Sequence, residues 1–212
     1  MAYKGAAFSV LLGMFMAYPG WKSAVLYCAG ACILYARPLF NTSAFAPLFA
    51  ALLIASFSFP SFTSPFRIGL VIVFSVLFAI IIGVKNLVLT HREQWVRGVA
   101  YALSYCTLII FFLASPENVF WLSWVGALFT LSLIWSVVVP DYRIMAPMIL
   151  VLGELMWVAS WLPIGFFASA NMLFLTMLFI GEAFFKRRIF WNEAAVFALL
   201  IIIVLGTSYW RL

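Results

Sequence analysis

Glu154 is the residue whose type and place point most directly to chemistry. It stands in an apolar stretch, eleven residues beyond Arg143 and eight before Leu162. At about 1.5 Å per helical residue, that sets it near the middle of a bilayer-spanning helix. A charged carboxylate at such depth costs about 2.5–3.5 kcal/mol on insertion scales. The positions that could pair with it along its own helix, Leu150, Val151, Trp157 and Val158, carry no charge, so desolvation is expected to favour the neutral acid. Trp157 and Trp161 fall on the same helical face. The three residues are therefore expected to line a partly polar, aromatic groove facing the interior of a helix bundle. Two kinds of work suit such a group: proton or cation binding at the midplane, or a hydrogen bond that holds two helices together.

A second constellation is basic. Lys85, His91, Arg92 and Arg97 crowd one polar interruption, with Asn86 and Glu93 among them, and Lys186, Arg187 and Arg188 form a triplet further along. Basic clusters of this kind can grip a phosphate or a lipid headgroup, or anchor helix ends at the cytoplasmic face. Anchoring is the expected role of the triplet. Lys85 is expected to extend its helix past the hydrocarbon and snorkel toward water. Glu182, four residues before Lys186, is in the favourable order for a local ion pair. Asn171 and the stripe Tyr101, Ser104, Tyr105 are uncharged and are expected to hydrogen-bond inside the bundle.

Other chemistry is excluded by what is missing. Cys28 and Cys32 lie four residues apart on one helical face, and Cys106 lies elsewhere. The one histidine, His91, belongs to another segment, so no tetrahedral zinc set assembles, and neither metal nor cofactor is expected. There is no GxSxG, HExxH, glycine-rich phosphate loop or CxxC. Asp141 is the only aspartate, which excludes a di-aspartyl intramembrane protease. The last apolar stretch has no lysine and so no retinal Schiff base of the usual placement.

These residues must be positioned by elements of a particular kind. Of 212 residues, 67% are hydrophobic and 8% charged, and the mean hydropathy is +1.19. Soluble domains average about 25% charged, so the chain is expected to be an all-α integral membrane protein. Nine apolar segments stand out: 5–18, 23–36, 44–59, 68–84, 98–114, 119–139, 144–162, 166–184 and 194–210. They form one polytopic helical domain over residues 1–212. The gaps are too short to fold as a soluble domain. Barrel strands would alternate apolar and polar residues, which Ile68 to Val84 does not do.

The first two segments are short for a crossing, so seven crossings plus an N-terminal re-entrant hairpin is the alternative count. Lys4 before an apolar run resembles a signal peptide, but no small-x-small site follows, and a retained helix is expected. Pro19 and Gly20 supply the turn of a hairpin. Its two helices are expected to approach closely through the Ser9, Gly13, Ala17 face and through Ala24, Cys28, Ala31 and Cys32.

Charge placement gives the orientation. With the N-terminus in the cytoplasm, nine of the twelve basic residues fall on the cytoplasmic side; Lys22, Arg67 and Arg211 fall outside. The C-terminus is expected outside, in a multi-pass protein whose expected setting is a bacterial plasma membrane. Because the +6 net charge is dispersed along the gaps, the expected partners are membrane lipids and other membrane proteins, not nucleic acid.

Three functions follow in order. A non-enzymatic scaffold or accessory component of a membrane or envelope assembly requires only the features above. A small proton- or cation-coupled transporter or channel would use Glu154, but needs more polar company than the sequence supplies. A lipid-processing enzyme at the cytoplasmic interface would use His91, Arg92 and Glu93, but lacks the several carboxylates that a metal-dependent transferase employs.

Overall fold

A computed structural model describes residues 2–36, 42–58, 64–86, 91–114, 120–139, 141–162, 165–186 and 191–209. Among the described residues there is no strand, and nine helices follow the apolar segments. They are α1 (Ala2–Ala17), α2 (Trp21–Ala36), α3 (Thr42–Ser56), α4 (Ser64–Lys85), α5 (Arg92–Ala114), α6 (Phe120–Val138), α7 (Tyr142–Trp161), α8 (Phe166–Lys186) and α9 (Trp191–Tyr209). Four stretches are long and apolar enough to cross a membrane: Pro65–Lys85, Arg92–Leu113, Trp121–Val138 and Tyr142–Trp161. Five further apolar stretches of described residues are shorter.

The largest departure from the apolar segments is α5, which starts at Arg92 rather than near residue 98. Glu93, Gln94, Trp95 and Arg97 all point outward on its first turns, so polar residues extend the helix without entering a core. His91, at φ 57°, sets the start. Left-handed backbone is several-fold commoner for His than for most residues, and the His91 carbonyl accepts from the Gln94 and Trp95 amides at 3.0 and 3.3 Å. At α7 the cap is Asp141, whose carboxylate accepts from the Arg143 amide at 3.0 Å. Both α3 and α7 carry a proline at their sixth residue, Pro47 and Pro147. Proline lacks the amide that would bond four residues back, which leaves the Ser43 and Arg143 carbonyls without that partner.

The chain forms two compact units: residues Met1–Leu103 with Leu133–Val138, and Ser104–Ser132 with Val139–Leu212. In unit 1, α1 packs on both α2 and α4, and α3 packs on α4. The expected α1–α2 hairpin is present, closed at its turn by Ser23 Oγ, which bonds the Tyr18 and Gly20 carbonyls at 2.5 and 2.9 Å. Of the residues expected at its contact, Ala31 is fully buried, but others differ. A Cβ on Gly13 would meet nothing within 4 Å, and Ala17 and Cys32 are exposed. The close approaches fall instead at Gly30, where a Cβ would come 2.6 Å from Leu11 Cδ1, and at Gly5, 3.2 Å from Ala79 Cβ of α4. Helix α1 meets α4 through Gly5 and Phe8 and α2 through Leu11, and the side of the helix bearing Gly13 and Ala17 meets neither.

Aromatic rings fill the space between these helices. Phe8 stacks on Phe78 at 4.2 Å and tilts against Tyr27 at 5.7 Å, and Phe15 stacks on Tyr27 at 5.5 Å. The nearly parallel rings of Tyr35 and Phe49 stack with centroids 4.3 Å apart. Lipid supplies no hydrophobic drive between helices, so such shape-specific packing carries the association. The Tyr27 hydroxyl lies 2.9 Å from Ser56 Oγ, and Ser56 donates to the Leu53 carbonyl at 2.6 Å. Tyr27 is thus the donor of the pair.

In unit 2, α8 packs on α7 and α9. The α6–α7 contact is built on Gly153, where a Cβ would come 3.0 Å from Leu128 Cδ1 and 3.2 Å from Trp124 Cζ2. The missing side chain lets the Trp124 indole donate to the Gly153 carbonyl at 3.0 Å. Tyr105 donates to Asn171 Oδ1 at 2.7 Å, as expected of two polar groups in apolar surroundings. Ser104 is buried, and contrary to expectation its hydroxyl has no hydrogen-bond partner among the described residues.

Candidate functional site

Two sets of polar residues merit a functional reading, one in each unit. In unit 1, α1 begins, α2 ends, α4 ends and α5 begins at the same end. Lys4 donates to the Leu34 carbonyl at 3.1 Å, and Lys85 donates to the Tyr35 carbonyl. Both acceptors belong to the last turn of α2, whose final four carbonyls have no intrahelical donor. A cation there also meets the negative end of the helix dipole. The Lys85 ammonium lies 4.4 Å from the centroid of the Tyr35 ring, and the Arg92 guanidinium lies 4.6 Å from that of Phe45.

Lys85 is 0% exposed and Lys4 7%, which corrects the expectation for Lys85. It does not snorkel to water; it turns inward, because α2 ends beside it with acceptors to fill. His91 and Arg97 are exposed, and Arg92 is half-buried. Lys85 and Arg92 are therefore brought to one end of unit 1, but as separate contacts with α2 and α3 and not as a shared cradle. Lys186 closes α8; Arg187 and Arg188 lie outside the described residues. The Glu182–Lys186 pairing also lies outside them.

Charge is divided unevenly between the units. Residues 1–103 hold seven Lys and Arg against one acid, Glu93. Within unit 1, Lys4, Lys85, Arg92 and Arg97 gather toward one end, while Lys22 and Arg67 belong to the opposite helix ends, at the start of α2 and of α4.

In unit 2 the structure overturns the expected setting of Glu154. Its side chain is exposed, on a face of α7 made otherwise of Pro147, Leu150, Val151, Val158 and Trp161. The buried face is Met148, Ile149, Leu152, Gly153, Met156 and Ala159. The reason is steric: the α6 contact claims Gly153, and the neighbouring Cα, about 100° further round the helix, is thereby turned outward. Glu154 forms no hydrogen bond or ion pair with the described residues.

Nor do the two tryptophans join it in a groove. Trp157 turns toward α6, with its ring 4.4 Å from Trp121 and 6.2 Å from Trp124. Trp161 is 76% exposed. What remains is one carboxyl on an otherwise apolar, outward-facing stripe, bordered on the α6 side by Trp121, Leu122 and Val125, all exposed.

Sequence reasoning missed the lysine caps of α2 and the Trp124–Gly153 bond, because the acceptor in each is backbone. The trace that could have found the first is a pair of lysines, one opening and one closing an apolar helix, with a third helix ending at Ala36, just after Tyr35, between them. Cys28, Cys32 and Cys106 are free thiols. Among the described residues, no three His, Cys, Asp or Glu stand close enough to hold a metal ion. No family model, curated protein or solved structure matches the chain.

Proposed function

We propose that this chain is a multi-pass membrane protein acting as a non-enzymatic scaffold or accessory component of a membrane or envelope assembly. The setting proposed is a bacterial plasma membrane, with the N-terminus cytoplasmic and the C-terminus outside. One observation carries the reading: Glu154 faces outward on α7 with no partner among the described residues. An ionisable group in hydrocarbon is expensive unless paired, and a group left unpaired by the described residues on an outward, apolar stripe is satisfied most simply by another molecule.

The alternatives have less support. A transporter would place Glu154 among further polar groups, yet its neighbours on that face are Leu150, Val151 and Val158. An interfacial enzyme would use His91, Arg92 and Glu93, and among the described residues no second carboxylate joins Glu93 there to hold a metal ion.

The test is site-specific photocrosslinking in native membranes. A photoreactive side chain at Leu150 or Val158 is expected to give adducts with a second polypeptide. The same group at Met156, fully buried, is expected to give none. Lipid adducts alone from every outward position would overturn the proposal.

A further inference from the structure

The geometry points to Arg92 as the anchor of a binding site for a phosphate group, at the end of unit 1 where α4 ends and α5 begins. The phosphate is that of an anionic lipid headgroup or a free one; the chemistry that holds it is the same. The site involves unit 1 alone and does not depend on the accessory role proposed above.

Arginine holds phosphate through the N–H edge of its planar guanidinium, two donors at a time. Arg92 has that edge to spare. Its guanidinium sits over the buried Phe45 ring, 4.6 Å from the centroid, and forms no hydrogen bond or ion pair with the described residues. The side chain is half-buried, so the ring fixes the group while part of it stays open to a ligand. A donor fixed in this way gives up little further rotamer freedom on binding.

The surroundings favour an anion. Phe45 stands one turn before Phe49 on α3, Phe49 stacks on Tyr35, and the Lys85 ammonium lies 4.4 Å from the Tyr35 centroid. A run of rings thus links the guanidinium to the lysines at the end of α2. Lys85 and Lys4 are buried and do not touch the ligand; they act through their field, which a low dielectric carries farther than water does. The α2 dipole offsets part of that charge, and the positive end of α5, whose first residue is Arg92, adds to it. Residues 1–103 contain one acid, Glu93. It is exposed and, as the next residue of α5, is turned about 100° away from Arg92. An oxyanion with paired oxygens fits the fork, and in the membrane setting proposed above phosphates stand where the apolar run of α4 ends, at Lys85.

The test uses the purified full chain in dodecyl maltoside, with binding read by isothermal titration calorimetry. The probes are inorganic phosphate and dihexanoylphosphatidylglycerol. Dihexanoylphosphatidylcholine, which has the same chains but no net charge, is the control for entry into micelles. At least one probe is expected to bind, phosphatidylglycerol at least about tenfold tighter than the control if the source is lipid. Arg92→Gln is expected to weaken that binding at least about tenfold, the loss of a charge-assisted hydrogen bond. Arg92→Lys keeps the charge without the fork and is expected to recover only part of the affinity. Lys22→Gln removes one exposed charge at the opposite helix ends and is expected to bind as wild type does.

Loss of both ligands in Arg92→Gln assigns the site to the phosphate group itself. Loss of phosphatidylglycerol alone assigns it to a lipid, and loss of inorganic phosphate alone to a soluble ligand. Wild-type affinity in Arg92→Gln, an equal loss in Lys22→Gln, or no binding of either probe above the control would overturn the inference. Circular dichroism and the thermal midpoint check that each variant is folded. If Arg92→Gln fails that check, Arg92→Lys decides: reduced affinity in a folded protein supports the site, and full affinity overturns it.

Discussion

Replacing Lys85 by Met tests whether a buried lysine can stabilise a bundle by closing the end of a neighbouring helix. Methionine keeps nearly the same length and volume, so no cavity opens, and only the ammonium is lost. With it goes a charge-assisted hydrogen bond to the Tyr35 carbonyl, worth about 1.5–3 kcal/mol, and a desolvated ring contact worth about 2 kcal/mol. Against these losses stands relief from burying a cation, several kcal/mol in the interior. The Tyr35 carbonyl also loses this donor, at about 1–3 kcal/mol, so the net expectation is a destabilisation of that order. SDS titration of the reconstituted protein, followed by circular dichroism, measures it. Lys4→Met should cost less, since Lys4 retains some exposure. The two ammonium groups serve adjacent carbonyls and repel each other, so the double variant should lose more than the sum of the single ones. A Lys85→Met protein as stable as wild type, or more so, would refute the capping argument and show that desolvation dominates.

The remaining predictions concern packing and orientation. Gly5→Leu should wedge α1 from α4 and cost about 1–3 kcal/mol, while Gly13→Leu should stay within about 0.5 kcal/mol; thermal midpoints in detergent compare the two, and equal losses would mean the helix faces are misassigned. Trp124→Phe removes the bond to the Gly153 carbonyl and Tyr105→Phe the bond to Asn171. Each should cost about 0.6–2 kcal/mol, the range for one interhelical hydrogen bond, and unchanged SDS midpoints would count against both. Reporter fusions at Arg97 and Leu212 should report opposite sides of the membrane, and a shared side would refute the proposed topology.

The extents of the helices were legible because charges, Pro19–Gly20 and other breaks interrupt runs that are otherwise uniformly apolar. The same uniformity hid which way each helix faces. In a soluble helix the polar stripe marks the outside; on α7, Leu150 faces out and Leu152 faces in, and nothing in their chemistry distinguishes lipid from protein. Glu154 was therefore recognisable as costly, but its direction depended on Gly153 and the α6 tryptophans, which act through shape. Interior hydrogen bonding of Asn171 and of the Tyr101, Ser104, Tyr105 stripe was legible as a type, because isolated polar residues in apolar segments have few other solutions, but not the pairing: Tyr105 meets Asn171, and Ser104 finds no partner among the described residues. The lysine caps were not, since the end of a helix offers carbonyls that have no letter in the sequence.

The prolines of α3 and α7 have a consequence for the vertical position of these helices. Each sits at the sixth residue, so the carbonyl it frees belongs to the second, Ser43 or Arg143, and both residues are exposed. Held at the membrane surface, that oxygen can take water in place of the missing amide. Sliding either helix inward by one turn, about 5.4 Å, would carry the bare carbonyl into hydrocarbon at a cost of several kcal/mol. Sliding it outward would expose the apolar residues of its far end. In the membrane placement proposed above, Pro47 and Pro147 would act as depth stops, resisting piston motion while leaving each helix free to rotate or tilt about its own axis.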